Sequence, residues 1–216
     1  INDHMYILGI SGGVRLGYHD IGAALLNDGK LVAAVEEERI NRIKHSPGQL
    51  PQKSIYTVLE SEKISITDVD ILATHGITWG DVYDTILKDY FEGEFGFCPP
   101  IEKVHHHDAH AASAYYASGF NEAIVITMDG SGDGVSCEFC IGRDNEMEIL
   151  QRFDRPNSLG IFYSMITQYC GFTRDSDEYK LMGLSSYGDR NKFDFSKIIY
   201  FENGELKLDT SYIKTI

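Results

Sequence analysis

Short apolar runs broken by glycine open the chain. YILGI (6 to 10) alternates as a compact strand and runs into SGGVRLGYHD, after which IGAALLNDGKLVAAVEEE folds as two more strands about Asn27-Asp28-Gly29, a strong hairpin turn. The period then lengthens. PQKSIYTVLESEK has helical spacing behind Pro51, VDILAT is a strand, DVYDTILKDYFEG is an amphipathic helix, and IEKV is a short strand leading into HHDAHAASAYYASGF, an alanine-rich helix closed by Gly119. From residue 122 the opening pattern returns as EAIVITM, DGSGDG, VSCEFCIG, the turn Arg143-Asp144-Asn145 and EMEILQRF. A helix near SLGIFYSMITQYCGF follows.

The order β-β-β-α-β-α-β-α predicts an α/β protein made of the ribonuclease-H-like lobes of the acetate-kinase, sugar-kinase, Hsp70 and actin superfamily. Residues 5–120 are expected to form the first lobe and residues 121–216 the start of a second, truncated lobe. Residues 1–4 precede Met5 and read as a non-native leader. In that superfamily the lobes flank a cleft with the two Gly-rich loops facing each other. Glycine lets such loops bring backbone N–H groups close to phosphate.

With 43% hydrophobic residues among 216, the chain can bury a core and is not a disordered segment. A formal net charge of −14, without a long acidic run, argues against binding nucleic acid or anionic lipid. No apolar run reaches the roughly 20 residues of a membrane span, and no secretory leader is visible, so the expected location is the cytoplasm. Four scattered cysteines do not make a disulfide framework. Cys137 and Cys140 form a C-x-x-C, but strand alternation sends them to opposite faces, which argues against a redox or zinc pair.

The sharper chemistry lies at the start of the alanine-rich helix, where His105, His106, His107 and His110 fall within six positions. His106 and His110 share a helix face, and so do His107 and His110, so either pair could offer two imidazoles to one metal ion. Asp108 suits the first helical turn. Asp129 closes a strand, where open α/β sheets gather their ligands, and Gly130, Ser131 and Gly132 follow as a candidate phosphate loop. Glu36, Glu37 and Glu38 are expected at a strand end and a solvated or lobe-facing turn.

HHDAHAASAYYASGF, MDGSGDG, HDIGAALLNDGKLVAAVEEERINRIKH, and SLGIFYSMITQYCGF followed by DEYKLMGLSSYG together resemble the amino-terminal, Kae1-like part of the NodU/CmcH carbamoyltransferase family, from Tyr6 to about Gly188. The resemblance implies an ATP-dependent O-carbamoyltransferase. Carbamoyl phosphate supplies the group, ATP activates it as carbamoyl adenylate in a carboxy-terminal YrdC-like domain absent from this sequence, and a small-molecule hydroxyl accepts it. It also implies a metal, iron or another divalent first-row ion, on His106, His110 and Asp129, which selects His106 over His107. A further aspartate of the family's site has no counterpart here. His19 and Lys44 match positions near the nucleotide and carbamoyl groups, Lys180 and Gly183 match a family motif beside the cleft with Lys180 expected to contact nucleotide or the metal-bound ligand, and Met182 and Leu184 are expected to pack.

Those residue types suit the reaction. Attack of a neutral hydroxyl on a carbamoyl anhydride needs a proton acceptor and a donor at the carbonyl, His19 being the candidate for one or the other, and positive charge on the phosphate side, for which Lys44 is the candidate. A sugar kinase or ATPase of the same superfamily recruits magnesium through carboxylates and has no need of paired histidines. A threonylcarbamoyl transferase would share the metal site but not the EEER and EYKLMGL segments. A non-catalytic nucleotide-binding lobe is the remaining alternative.

Overall fold

The structure is a computed structural model and describes residues 4–12, 20–209 and 211. The chain forms two compact units, residues 1–105 and 106–216. The first contains β1 (Tyr6–Ser11), β2 (Gly22–Asn27), β3 (Lys30–Glu36), α1 (Glu37–Asn41), α2 (Gln52–Glu62), β4 (Ile71–His75), α3 (Gly80–Phe95) and β5 (Ile101–Val104). Its sheet order is β3-β2-β1-β4-β5. β1 and β2 pair antiparallel, as do β2 and β3, whereas β1, β4 and β5 run parallel. This is the ribonuclease-H-like topology expected from the order of periods. Tyr6, Leu8 and Ile10 alternate into one face of the sheet, where Ile55, Val58 and Leu59 of α2 and Tyr83, Leu87 and Phe91 of α3 complete the core.

The glutamate run is less solvated than its composition suggests. Glu37 is buried, and its carboxylate accepts hydrogen bonds from the Ser54 hydroxyl and the backbone N–H groups of Lys53 and Ser54. It therefore satisfies first-turn donors of α2, a service Pro51 has no side chain to provide. Trp79 packs partly buried against this core, edge-on to His75 and Tyr83.

The second unit contains α4 (His106–Tyr116), β6 (Glu122–Gly132), β7 (Val135–Arg143), β8 (Glu146–Asp154), α5 (Leu159–Tyr169), α6 (Glu178–Ser185), β9 (Ile199–Glu202) and β10 (Glu205–Leu208). β6, β7 and β8 form an antiparallel meander that repeats the β1-β2-β3 opening of the first unit. α4, which the sequence placed in the first lobe, packs on β6 and β7 and so belongs with this unit, because its Ala111 and Tyr115 are buried with Val125 and Cys140. Cys137 packs instead with Phe153 and Leu206, on the other face from Cys140, as strand alternation required. Met182 and Leu184 are exposed, not packed, because α6 buries none of its residues.

No helix among the described residues is long and apolar enough to cross a membrane.

Candidate metal centre

Two periodicities meet at one point of the second unit. Along β6 the period of two turns Val125, Thr127 and Asp129 to a common face, with Val125 and Thr127 buried. Along α4 the four-residue step puts His107, Ala111 and Tyr115 on the stripe that faces the sheet, leaving His106 and His110 on the neighbouring stripe at its rim. The His106 Nε2 lies 2.5 Å from Asp129 Oδ2, and the His110 Nε2 lies 3.0 Å from His106 Nε2 and 3.5 Å from Asp129 Oδ2. The structure thus brings His106, His110 and Asp129 together and turns His107 inward.

The donor set fits a cation. The three ligand atoms lie within 4.8 Å of one another. Ligands of a tetrahedral first-row ion at about 2.0–2.2 Å stand roughly 3.3–3.6 Å apart, close to the spacings of His110, while His106 and Asp129 would open slightly. One proton on His106 Nε2 cannot serve Asp129 and His110 equally, whereas a cation can take a lone pair from each. Burial alone would raise the Asp129 carboxyl, but the hydrogen bond to His106 and the close imidazoles of His107 and His110 hold it well below the usual carboxylate range, so it stays anionic.

Neighbouring contacts fix this geometry. The Asp133 carboxylate, on the β6-β7 turn, accepts from the His106 backbone N–H at 2.9 Å and caps α4 from across the hairpin. Gly132 lies so close to the His106 ring that an added Cβ would be 2.0 Å from its Cγ. The Ser158 hydroxyl donates to the Asp129 and Gly130 carbonyls at 3.1 and 2.8 Å while accepting from Ile161 N–H, tying the start of α5 to this stretch of β6. At the other side of α4, Arg152 bridges Asp108 and the buried Glu138. The role of Asp108 therefore includes an ion pair beyond its place in the first turn.

The DGSGDG segment is not a separate loop. β6 continues through Gly132 with an irregularity after Met128, and the turn is confined to Asp133 and Gly134, both at positive φ. Gly130 and Ser131 are thus strand residues, Ser131 exposed. Lys44 is exposed with its ammonium 3.5 Å from Glu38, and Lys180 is held 2.7 Å from Asp177 and lies over the Tyr179 ring. His19 lies outside the described residues. His45, which the sequence offered only as part of a basic cluster with Arg39, Arg42 and Lys44, has its Nδ1 2.9 Å from Asp20 Oδ1. Both residues have positive φ, a backbone signal that sequence alone does not show.

Topology and side chains together define an α/β protein of ribonuclease-H-like architecture whose second unit carries a cluster of two histidines and one carboxylate. The chain belongs to the family described as carbamoyltransferase N-terminus, whose sequence model matches residues 7–96 and 82–214. The nodulation protein NolNO of Sinorhizobium fredii is 36% identical over 217 residues, covering 86% of this chain and 32% of that protein. An uncharacterized protein of Synechocystis sp. is 36% identical over 219 residues, covering 85% of this chain and 35% of its own length. The chain therefore spans about a third of the length of these relatives. Among solved structures, the ROK hexokinase of Thermus thermophilus is similar with a TM-score of 0.47 at 12% identity, covering 87% of this chain and 70% of that one.

Proposed function

We propose that this chain is the metal-holding part of an O-carbamoyltransferase that works in the cytoplasm and moves a carbamoyl group from carbamoyl phosphate, through carbamoyl adenylate formed with ATP, to a hydroxyl of a small molecule. Adenylate formation falls to a YrdC-like domain acting with it. Family membership supports carbamoyl transfer, and the observation that carries the assignment of the site is the convergence of His106, His110 and Asp129. A kinase of similar architecture would gather carboxylates for magnesium, whereas two neutral imidazoles and one carboxylate suit iron or another first-row divalent ion.

His106, His110 and Asp129 hold that ion, which when bound supplies positive charge to phosphate oxygens. The acceptor oxygen bonds to the carbamoyl carbon as the bond from that carbon to the AMP oxygen breaks. His19 takes the hydroxyl proton, and the electron pair leaves with AMP. Lys44, whose Glu38 pairing is loose and solvated, supplies charge on the phosphate side, and Lys180 contacts the nucleotide. The backbone N–H groups of Gly130, Ser131 and Gly132 are the proposed nucleotide donors.

The test is transfer of label from carbamoyl phosphate to a panel of sugar, macrolide and aminoglycoside alcohols by the protein at the full length of its relatives, with ATP and metal present. Carbamoylated product that disappears in His110→Ala supports the reading. Phosphorylation of the alcohol by ATP without carbamoyl transfer would replace it with a kinase.

A further inference from the structure

We propose that His107 is a positioning residue that holds the Asp129 carboxylate in its ligating orientation; the inference rests on the metal reading above. Its ring is 0% exposed, although the residues on either side of it are not buried. A buried imidazole needs partners, and this one uses both nitrogens. Nε2 lies 3.1 Å from the Val135 carbonyl oxygen, which can only accept, so Nε2 carries a proton. Nδ1 lies 2.6 Å from the Thr127 hydroxyl, which stands on the same β6 face as Asp129. These two contacts fix the ring and leave Nε2 3.4 Å from Asp129 Oδ1, where the proton bonded to the Val135 carbonyl also presents partial positive charge to that oxygen.

Asp129 Oδ1 is buried and makes no hydrogen bond of good geometry among the described residues, and His107 Nε2 stands beside it at 3.4 Å. The carboxylate is thereby divided, with Oδ1 on the core side at His107 and Oδ2 toward His106 and His110. The terminal torsion of an aspartate is broad and offers little resistance of its own. Without His107 the carboxylate can turn, and Oδ2 loses its fixed direction. His107 is not a spare ligand, because its nitrogens are spent on Val135 and Thr127.

Cobalt(II) titration of the metal-stripped protein, followed by visible d–d absorption, tests this. His107→Leu fills the space without the donor, and His107→Gln returns an N–H near the Nε2 position. The expected result is wild-type binding of one ion, binding weakened about 10–100-fold in His107→Leu, and recovery of most of that loss in His107→Gln. Far-ultraviolet circular dichroism checks folding. If His107→Leu does not fold, Thr127→Val, which removes only the hydroxyl that anchors the ring, decides: weaker binding with an altered cobalt spectrum supports the proposal, and wild-type behaviour overturns it. A folded His107→Leu protein with wild-type affinity, or a His107→Gln protein no better than the leucine variant, would also overturn it. Absence of cobalt binding by the wild type would sink the metal reading itself, a result distinct from indifference of the His107 variants.

Discussion

Gly132→Ala places one methyl group against the candidate metal centre. The new Cβ would stand 2.0 Å from both Cγ and Cδ2 of His106 and 2.6 Å from Nδ1, where ordinary contact begins near 3.4 Å. The required displacement is therefore about 1.4 Å, the difference between that contact distance and the built one. Cγ is the near end of the side chain, so the ring cannot swing clear by a small χ2 adjustment. Either His106 leaves its rotamer and withdraws Nε2 from Asp129, or the β6 backbone moves at an overpacking cost of about 1–3 kcal/mol. Both outcomes separate the ligands, and zinc affinity measured by chelator competition should fall by about 10–100-fold or more. Gly130→Ala is the matched control, since its Cβ would meet nothing within 4 Å. It should leave zinc affinity unchanged and shift urea stability by no more than about 0.5 kcal/mol. Wild-type affinity and stability in Gly132→Ala would refute the reasoning.

Three further outcomes follow from other parts of the fold. Burial, with Asp129 and Glu138 nearby, pushes the Cys137 thiol up to about 11, so iodoacetamide at mildly alkaline pH should label exposed Cys170 and spare Cys137; mass spectrometry showing equal labelling would contradict this. Arg152→Met leaves the buried Glu138 without its cation and should cost about 2–4 kcal/mol in urea denaturation, toward the lower side because Arg152 is partly exposed, whereas adding Glu138→Leu should recover part of the loss. Hydrogen bonds from the Ser65 backbone N–H and hydroxyl hold the Asp68 carboxyl below its ordinary 3.8, so its contribution to stability is complete above that value and is lost as pH falls through the lower folded value. Asp68→Asn should flatten that part of the acid dependence of the urea midpoint, and an unchanged acid slope would contradict the assignment.

The order of elements was legible because the hydrophobic period changes where the fold changes, from two in the meanders to helical in the crossovers. The hairpin turn Asp28-Gly29 was legible for a similarly local reason: both residues take the positive φ that their types tolerate. The choice between His106 and His107 was not. Alanine at 109, 111, 112 and 114 blurs the apolar stripe of α4, and only packing against Val125 and Cys140 shows that the buried stripe runs through 107, 111 and 115. Asp129 joined the histidines on a family resemblance, since nothing local to a strand end says which helix will lie across it. DGSGDG read as a loop because glycine marks turns, yet its first residues continue β6 and Gly132 serves close packing by admitting His106, while Gly160, at the start of α5, admits the Asp129 backbone. Glu37 looked solvated as part of an acidic run, because its partner Ser54 is distant in sequence.

α4 and β6 are proposed to build one metal site from His106, His110 and Asp129. Anomalous diffraction from crystals of the metal-loaded protein, collected at the absorption edge of the bound ion, tests it most directly. A single peak about 2.0–2.2 Å from His106 Nε2, His110 Nε2 and an Asp129 oxygen, absent in His110→Ala, is the predicted result. A loaded protein whose peak lies elsewhere, or whose His106 and His110 remain hydrogen bonded to each other with no ion between them, would contradict it.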